Sequence, residues 1–294
     1  MGCSLSRKPL DTTCPSKSNA PYHDHIMTMN DLRDSPALDL KRKFSEGKLT
    51  YGVWVTLESP TITEIAARLS FDWIVIDSEH GHLDMKDLME HVRVANLMGV
   101  VCLVGITETQ IGLIKRVLDI GADGIIVPQI NTAEEVAQAV SYAKYPPEGV
   151  RGIGGERATR WGKGFAERVA KANREVFVIP KIETVAAGKA IDSIMDVAGV
   201  DAFFFGPADY SASAGSPGEW EGPGVAEQVM KIHQKMLDRK MPSGIIARNP
   251  EEAATRTRQK FQMIALGIDT GLLIRAATEV MEAVGRPVPP GAWR

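Results

Sequence analysis

The polarity of the chain changes character at about residue 35. Before that point Ser, Pro, Asp, Asn and Thr dominate, with scattered Lys and no sustained period, a composition that predicts a disordered extension over residues 1–35. From Leu38 the pattern is regular. Leu38, Leu40 and Phe44 mark a short amphipathic helix that ends near Gly47. Beyond it, short apolar runs of strand length alternate with segments of helical period. The strand-like runs are 51–57, 73–78, 101–106, 124–130, 176–182, 202–206, 243–247 and 262–268. Helical patterns fall at 61–69, 88–97, 111–118, 134–143, 186–195, 251–261 and 272–284. Pro60, Thr132 and Pro250 sit where helices start, and Gly99, Gly121, Gly199 and Gly285 where they stop. Eight strands alternating with helices predict an α/β fold, a (β/α)8 TIM barrel over residues 36–286, followed by an extended Pro-rich tail over 287–294. A doubly wound open sheet would show fewer strands and a Gly-rich fingerprint after the first one, and none follows it here.

Composition narrows the function classes. The 294 residues are 44% hydrophobic and 24% charged, with a formal net charge of -3, so no nucleic-acid surface is implied. Arg151, Arg157, Arg160 and Lys163 are spread through a Gly-rich loop at 146–164, which reads as a substrate-side loop or a solvated face. Cys3, Cys14 and Cys102 show no disulfide or metal spacing, as expected for reduced thiols in the cytoplasm. No apolar run approaches the ~18 residues of a membrane span. The N-terminal Gly2-Cys3-Ser4-Leu5-Ser6 fits an N-myristoylation pattern, with Cys3 open to a palmitate and Arg7 and Lys8 beside it. Acylation there would bring the protein to a membrane surface.

In a (β/α)8 barrel the reacting groups sit at the carboxyl ends of the strands. The second strand ends in Asp77-Ser78-Glu79-His80-Gly81-His82. The fourth gives Gln129, the fifth Lys181 and Glu183, the sixth Asp209, the seventh Arg248 and the eighth Asp269. Glu183 and Asp209 close two successive strands and therefore share one face. Two hard oxygen ligands there suggest a divalent metal held for a small anionic substrate. The Gly206-Pro207-Ala208 turn presents backbone N–H groups beside Asp209. A metal-binding acid pair, a nearby His and a cation are the parts needed to abstract a proton next to a carbonyl. Asp269-Thr270 reads as the N-cap of the last helix, and Glu183 could instead cap the helix that follows it, a role Thr184 could share.

Asp77-Ser78-Glu79-His80, Leu113 through Asp119, Tyr145-Pro146-Pro147 through Gly154, Lys181-Ile182-Glu183 and Gly206 through Ser211 occur in this order. Together they resemble the HpcH/HpaI aldolase family of metal-dependent class II pyruvate aldolases over about residues 38–284. The resemblance implies a lyase that makes or breaks a carbon–carbon bond to the enolate of pyruvate or a similar 2-oxo acid. It implies His80 as base, Asp119 as the acid paired with it, and Glu183 and Asp209 as ligands of Mg2+, Mn2+ or Co2+. Gly206, Ala208 and Asp209 are implied in holding the substrate carboxylate, with Lys181 where the family usually has a Gln that contacts substrate. The family's enolate-stabilising Arg is absent, since that position is Gly105 here. Loss of one such donor typically costs ~10²–10³ in rate. Lys181 and Arg248, on the same face, are the candidates to replace it, Lys181 first. A 2-oxo acid and a carbonyl acceptor are the expected substrates, with pyruvate–pyruvate addition as an example. A relative acting on oxaloacetate, or a catalytically altered barrel tethered to a membrane, are the alternatives. The resemblance also implies a homo-oligomer, usually a hexamer that exchanges its last helix.

Overall fold

The computed structural model describes residues 35–289, apart from residue 223, together with residue 291. The expected extension up to residue 34, with Gly2 and Cys3, and residues 290 and 292–294 of the expected tail lie outside the described residues. A first helix, α1 (Pro36–Ser45), precedes the barrel. Then come β1 (Thr50–Val55), α2 (Pro60–Arg68), β2 (Trp73–Asp77), α3 (Met85–Met98), β3 (Val101–Gly105), α4 (Ile111–Asp119), β4 (Gly124–Val127) and α5 (Ala133–Ala143). The second half runs α6 (Phe165–Glu175), β5 (Phe177–Ile182), α7 (Val185–Lys189), α8 (Ile191–Met195), β6 (Phe203–Phe205) and α9 (Pro207–Ser213). It ends with α10 (Ala226–Asp238), β7 (Ser243–Ile246), α11 (Pro250–Arg258), β8 (Met263–Ile268) and α12 (Asp269–Ala283). The strands pair in chain order and all in parallel, and β8 closes on β1. The expected (β/α)8 barrel is the fold.

Strands buried on both faces explain the near-continuous apolar runs. One set of side chains, including Val53, Ile74, Val104, Val178 and Phe205, packs under the helices. The alternate set, including Trp54, Trp73, Leu103, Phe177, Phe204 and Met263, fills the barrel. The large rings need missing neighbours: a Cβ on Gly52 would drive into the Trp73 indole, and one on Gly244 would stand 2.7 Å from the Phe204 ring. Trp54 and Trp73 both lie against Phe204, with ring centroids 5.5 and 6.3 Å away.

The amino-terminal mouth of the barrel is stopped by α1. Its Ala37, Leu40 and Phe44 join the interior cluster, and Phe44 meets Phe177 edge-on at 6.1 Å. Polar contacts fasten the rim. The Lys41 Nζ donates to the Val176 carbonyl at 2.7 Å and pairs with Asp201 at 2.7 Å. Lys43 pairs with Asp72, and Gln262 donates to the Phe44 carbonyl at 3.0 Å.

Several local expectations need correction. The predicted helix at 186–195 is two short helices that meet at Ala190. The stretch after Asp209, expected to be irregular, begins with the two turns of α9. The Gly-rich loop is not on the substrate side within this chain. It follows α5, which descends from the end of β4, so it crosses the amino-terminal mouth. There Arg157 donates to the Ile120 carbonyl at 3.0 Å and Arg151 pairs with Asp119 at 2.8 Å. Asp269 is the first residue of α12 and not its cap. Its buried carboxylate accepts from the Thr56 and Leu57 N–H groups at 3.1 and 3.0 Å, tying the end of β1 to α12.

Candidate active site at the carboxyl mouth

Lys181 belongs to β5, and its ammonium stands at the centre of the carboxyl mouth. It is 4% exposed. Its Nζ lies 2.6 Å from Glu79 Oε2, 2.7 Å from Glu183 Oε2 and 3.7 Å from Asp209 Oδ2. Three carboxylates from the ends of β2, β5 and β6 therefore converge on one ammonium. Sequence pattern singles out its neighbour His80 and gives Glu79 no role. The signal available for it was its place two residues past the end of β2.

Local chemistry frees Glu183 for the site. Thr184 takes the capping role, accepting from the Ala187 N–H at 3.0 Å. Glu183 Oε1 instead accepts from the Gln129 N–H at 2.5 Å. Gln129 adopts a left-handed conformation, φ 53°, to present that N–H, and strained backbone of this kind clusters at functional sites. Glu183 Oε2 is buried and has no hydrogen bond, because its ion pair with Lys181 lies outside hydrogen-bond geometry. The Lys181 ammonium compensates its charge while leaving its hydrogen-bonding capacity unused.

Gly206 separates β6 from α9, and its lack of a side chain shapes the site. A Cβ there would stand 3.1 Å from Glu183 Oε2 and 3.4 Å from Asp209 Oδ2. Gly206 thus adds no side chain to the space between the two acids. Ala208 and Asp209 lie in the first turn of α9, where backbone N–H groups have no intrahelical partner.

His80 lies on the rim of the same mouth with its side chain 61% exposed and its Nε2 3.8 Å from Glu79 Oε1. Its backbone N–H and that of Glu79 are held by Asp77 Oδ1, at 3.2 and 2.9 Å. Two other histidines are packing groups. His91 bonds Thr63 at 2.7 Å, and His233 bonds Ser243 at 2.9 Å while stacked on Phe261; burial lowers the basicity of both.

The remaining expected residues are placed elsewhere. Asp119 ends α4, which carries it ~13 Å down the barrel, and its carboxylate pairs with Arg151. Within one chain His80 and Asp119 are at opposite mouths and do not form the expected pair. Arg248 is near the site but engaged: its Nε donates to Glu252 at 2.8 Å, and its guanidinium lies 4.6 Å from the Trp220 ring centroid. At Gly105 a Cβ would stand 3.3 Å from the Trp54 ring and 3.5 Å from Asp77 Oδ1. Trp54 Nε1 is buried there without a partner.

Among the described residues no three of His, Cys, Asp and Glu stand ready around a single cation position. Glu183 and Asp209 nevertheless suit a hard divalent ion. Their oxygens are of the right kind, one is a buried acceptor with no hydrogen bond, and Gly206 puts no side chain between them. Three carboxylates against one ammonium also leave the cluster short of positive charge.

Acids, a buried ammonium and a histidine gathered where a (β/α)8 barrel places its chemistry define a barrel-enzyme site. The chain belongs to the HpcH/HpaI aldolase/citrate lyase family, whose model matches residues 50–276. It is 35% identical over 247 residues to a hydroxypyruvate/pyruvate aldolase of Paraburkholderia phytofirmans, spanning 83% of this chain and 92% of that protein. It is 32% identical over 242 residues to a 4-hydroxy-2-oxovalerate aldolase of Rhodococcus jostii, spanning 82% and 93%. The crystal structure of an HpcH/HpaI aldolase/citrate lyase family protein from Burkholderia cenocepacia superimposes with a TM-score of 0.80 at 28% identity, covering 84% of this chain and 99% of that one. Aldolases among these relatives support lyase activity, and the class is generally dependent on a divalent metal.

Proposed function

We propose that this protein makes or breaks a carbon–carbon bond to the enolate of pyruvate or a similar 2-oxo acid, with an aldehyde or a second 2-oxo acid as acceptor. The observation that carries the reading is the buried Lys181 ammonium among Glu79, Glu183 and Asp209 at the carboxyl mouth. A divalent ion (Mg2+, Mn2+ or Co2+) would be held by Glu183 and Asp209 and would supply polarisation of the 2-oxo acid carbonyl. The free N–H groups of Ala208 and Asp209, beside Gly206, receive the substrate carboxylate. His80 takes a proton from the carbon next to the carbonyl. The C–H electron pair becomes the enolate double bond, and the carbonyl pair moves to oxygen. Lys181 donates to that oxygen, the role left open by Gly105. The enolate carbon then bonds to the acceptor carbonyl carbon as the 2-oxo carbonyl re-forms, and the acceptor oxygen takes the proton held by His80. Arg248, fixed by Glu252 and Trp220, forms the wall on the acceptor side.

A homo-oligomer completes this reading. Leu273, Ile274, Val280 and Val284, on α12 and at its end, are exposed in the single chain, at 63%, 50%, 65% and 68%. Apolar residues on the last helix suit packing against another copy. Asp119 can act as the acid of His80 only if it comes from a neighbouring copy. No helix among the described residues is long and apolar enough to cross a membrane, and the reading takes the protein as cytoplasmic.

The test is solvent exchange of pyruvate methyl protons in D2O, followed by NMR with Mg2+ or Mn2+ present. Exchange is expected. Its absence for every 2-oxo acid tried would remove the enolate chemistry on which the reading depends. A screen of acceptors, with products identified by mass, then defines the substrate.

A further inference from the structure

We infer that the Lys181 ammonium is a built-in counter-ion standing at the cation position of the site, and that a divalent ion must displace it. This inference rests on the proposed function for its context, but its evidence is separate. An ammonium 2.7 Å from Glu183 Oε2 and 3.7 Å from Asp209 Oδ2 lies on the two carboxylates that would hold the ion. Like charges cannot share that space without mutual repulsion in a partly desolvated mouth. The structure also provides the place to which the ammonium retreats. Glu79 Oε2 accepts a hydrogen bond from the same Nζ at 2.6 Å. Moving wholly onto Glu79 keeps the lysine paired while Glu183 and Asp209 turn to the ion.

This arrangement deepens the role of Lys181. In the protein without a bound ion it neutralises acids that would otherwise repel one another. When the ion arrives, the displaced ammonium remains at the mouth, free to donate to a substrate oxygen. One side chain thus sets how tightly the site takes its ion and is left poised as the donor that Gly105 cannot be. Divalent-ion affinity is therefore weakened by Lys181.

The test uses the full chain and Mn2+ alone, without substrate, with free Mn2+ read by electron paramagnetic resonance. Two variants are compared with the natural protein. Lys181→Met removes the ammonium and adds no oxygen ligand. Lys181→Met with Glu79→Gln also removes one negative charge, so the cluster has the same net charge as the natural one while its cation position is clear. It also avoids an unpaired, partly buried carboxylate at Glu79 and carries the test if the single variant fails to fold. Both variants are expected to bind Mn2+ at least about 10-fold more tightly than the natural protein. Equal or weaker binding by the double variant would overturn the inference, since net charge alone would then govern affinity. Absence of Mn2+ binding in all three proteins would overturn it as well. Failure of methyl-proton exchange would instead count against the enolate reading and leave the Mn2+ result to decide this one.

Discussion

The two mouths of the barrel are both lined with charge, but they use it differently. At the amino mouth the pairs are one to one: Lys41 with Asp201, Lys43 with Asp72, Arg151 with Asp119 and Arg168 with Glu175. Each joins segments brought together by the closed sheet or by the loop beneath it, and α1 plugs the opening with Leu40 and Phe44. At the carboxyl mouth three acids face one ammonium, and an oxygen of Glu183 lacks a hydrogen bond. Balanced pairs hold a structure. An unbalanced cluster stores a demand that a ligand or cation can meet, at a cost in stability. Substitutions at the two mouths should therefore separate activity from stability.

The largest expected effect is on rate. His80→Asn should slow methyl-proton exchange by ~10²–10⁴, the usual contribution of a positioned acid–base group. Because the His80 side chain is 61% exposed, its melting temperature should not change. A variant that loses stability in step with activity would place His80 among the packing histidines. The converse experiment is Phe44→Ala, which empties part of the plug. It should cost about 3–5 kcal/mol in denaturant unfolding, while the exchange rate per folded molecule stays at the natural value. A fall in that rate without denaturant would show that the amino mouth controls the site and would break the comparison.

The difference between the mouths was only partly legible in the sequence. The eight strands were, because strands buried on both faces leave uninterrupted apolar runs that the crossover helices punctuate. Glu183 and Asp209 were legible because strand ends fix the face on which they emerge, whereas the choice of Thr184 over Glu183 as the cap was settled only by the structure. The contact of Lys181 with Glu79 was not, since it joins residues 102 apart through the curvature of the closed sheet. Nor was the left-handed turn at Gln129, whose side chain gives no sign of the backbone it adopts. Asp119 shows how a resemblance and a pattern can part. Family likeness paired it with His80, whereas its position at the end of a descending helix puts it at the other mouth of its own barrel, so the pair could form only between copies. Amphipathic α10 went unnamed even though Val229, Ile232, His233 and Met236 fall on one buried stripe, because a histidine interrupts the apolar signal.

The smallest expected effect concerns a single acid at the amino mouth and needs pH to reveal it. Asp123, just before β4, accepts the Cys102 N–H at 2.8 Å beside a cavity of about 50 Å³ bordered by Tyr145, Arg168 and Glu175. Burial raises its carboxyl from the ordinary 3.8 to about 6, against the lowering effect of the Cys102 N–H and Arg168. The folded protein therefore binds a proton there that the unfolded chain has already released between about pH 4 and 6. Stability from this group is fully present below pH 3.8 and is lost as the pH rises through about 6, by up to about 3 kcal/mol. Asp123→Asn cannot ionise, so its stability relative to the natural protein should rise over the same window. Urea unfolding at pH 4, 5, 6 and 7 measures that difference directly. A difference that stays constant with pH would mean Asp123 ionises as an exposed acid does, and the amino mouth would then hold no burdened carboxylate. A rising difference, with methyl-proton exchange unaltered in the variant, would show that the amino mouth too carries a costly acid without making it a reactive one, so that what distinguishes the carboxyl mouth is the convergence of its acids on one cation position.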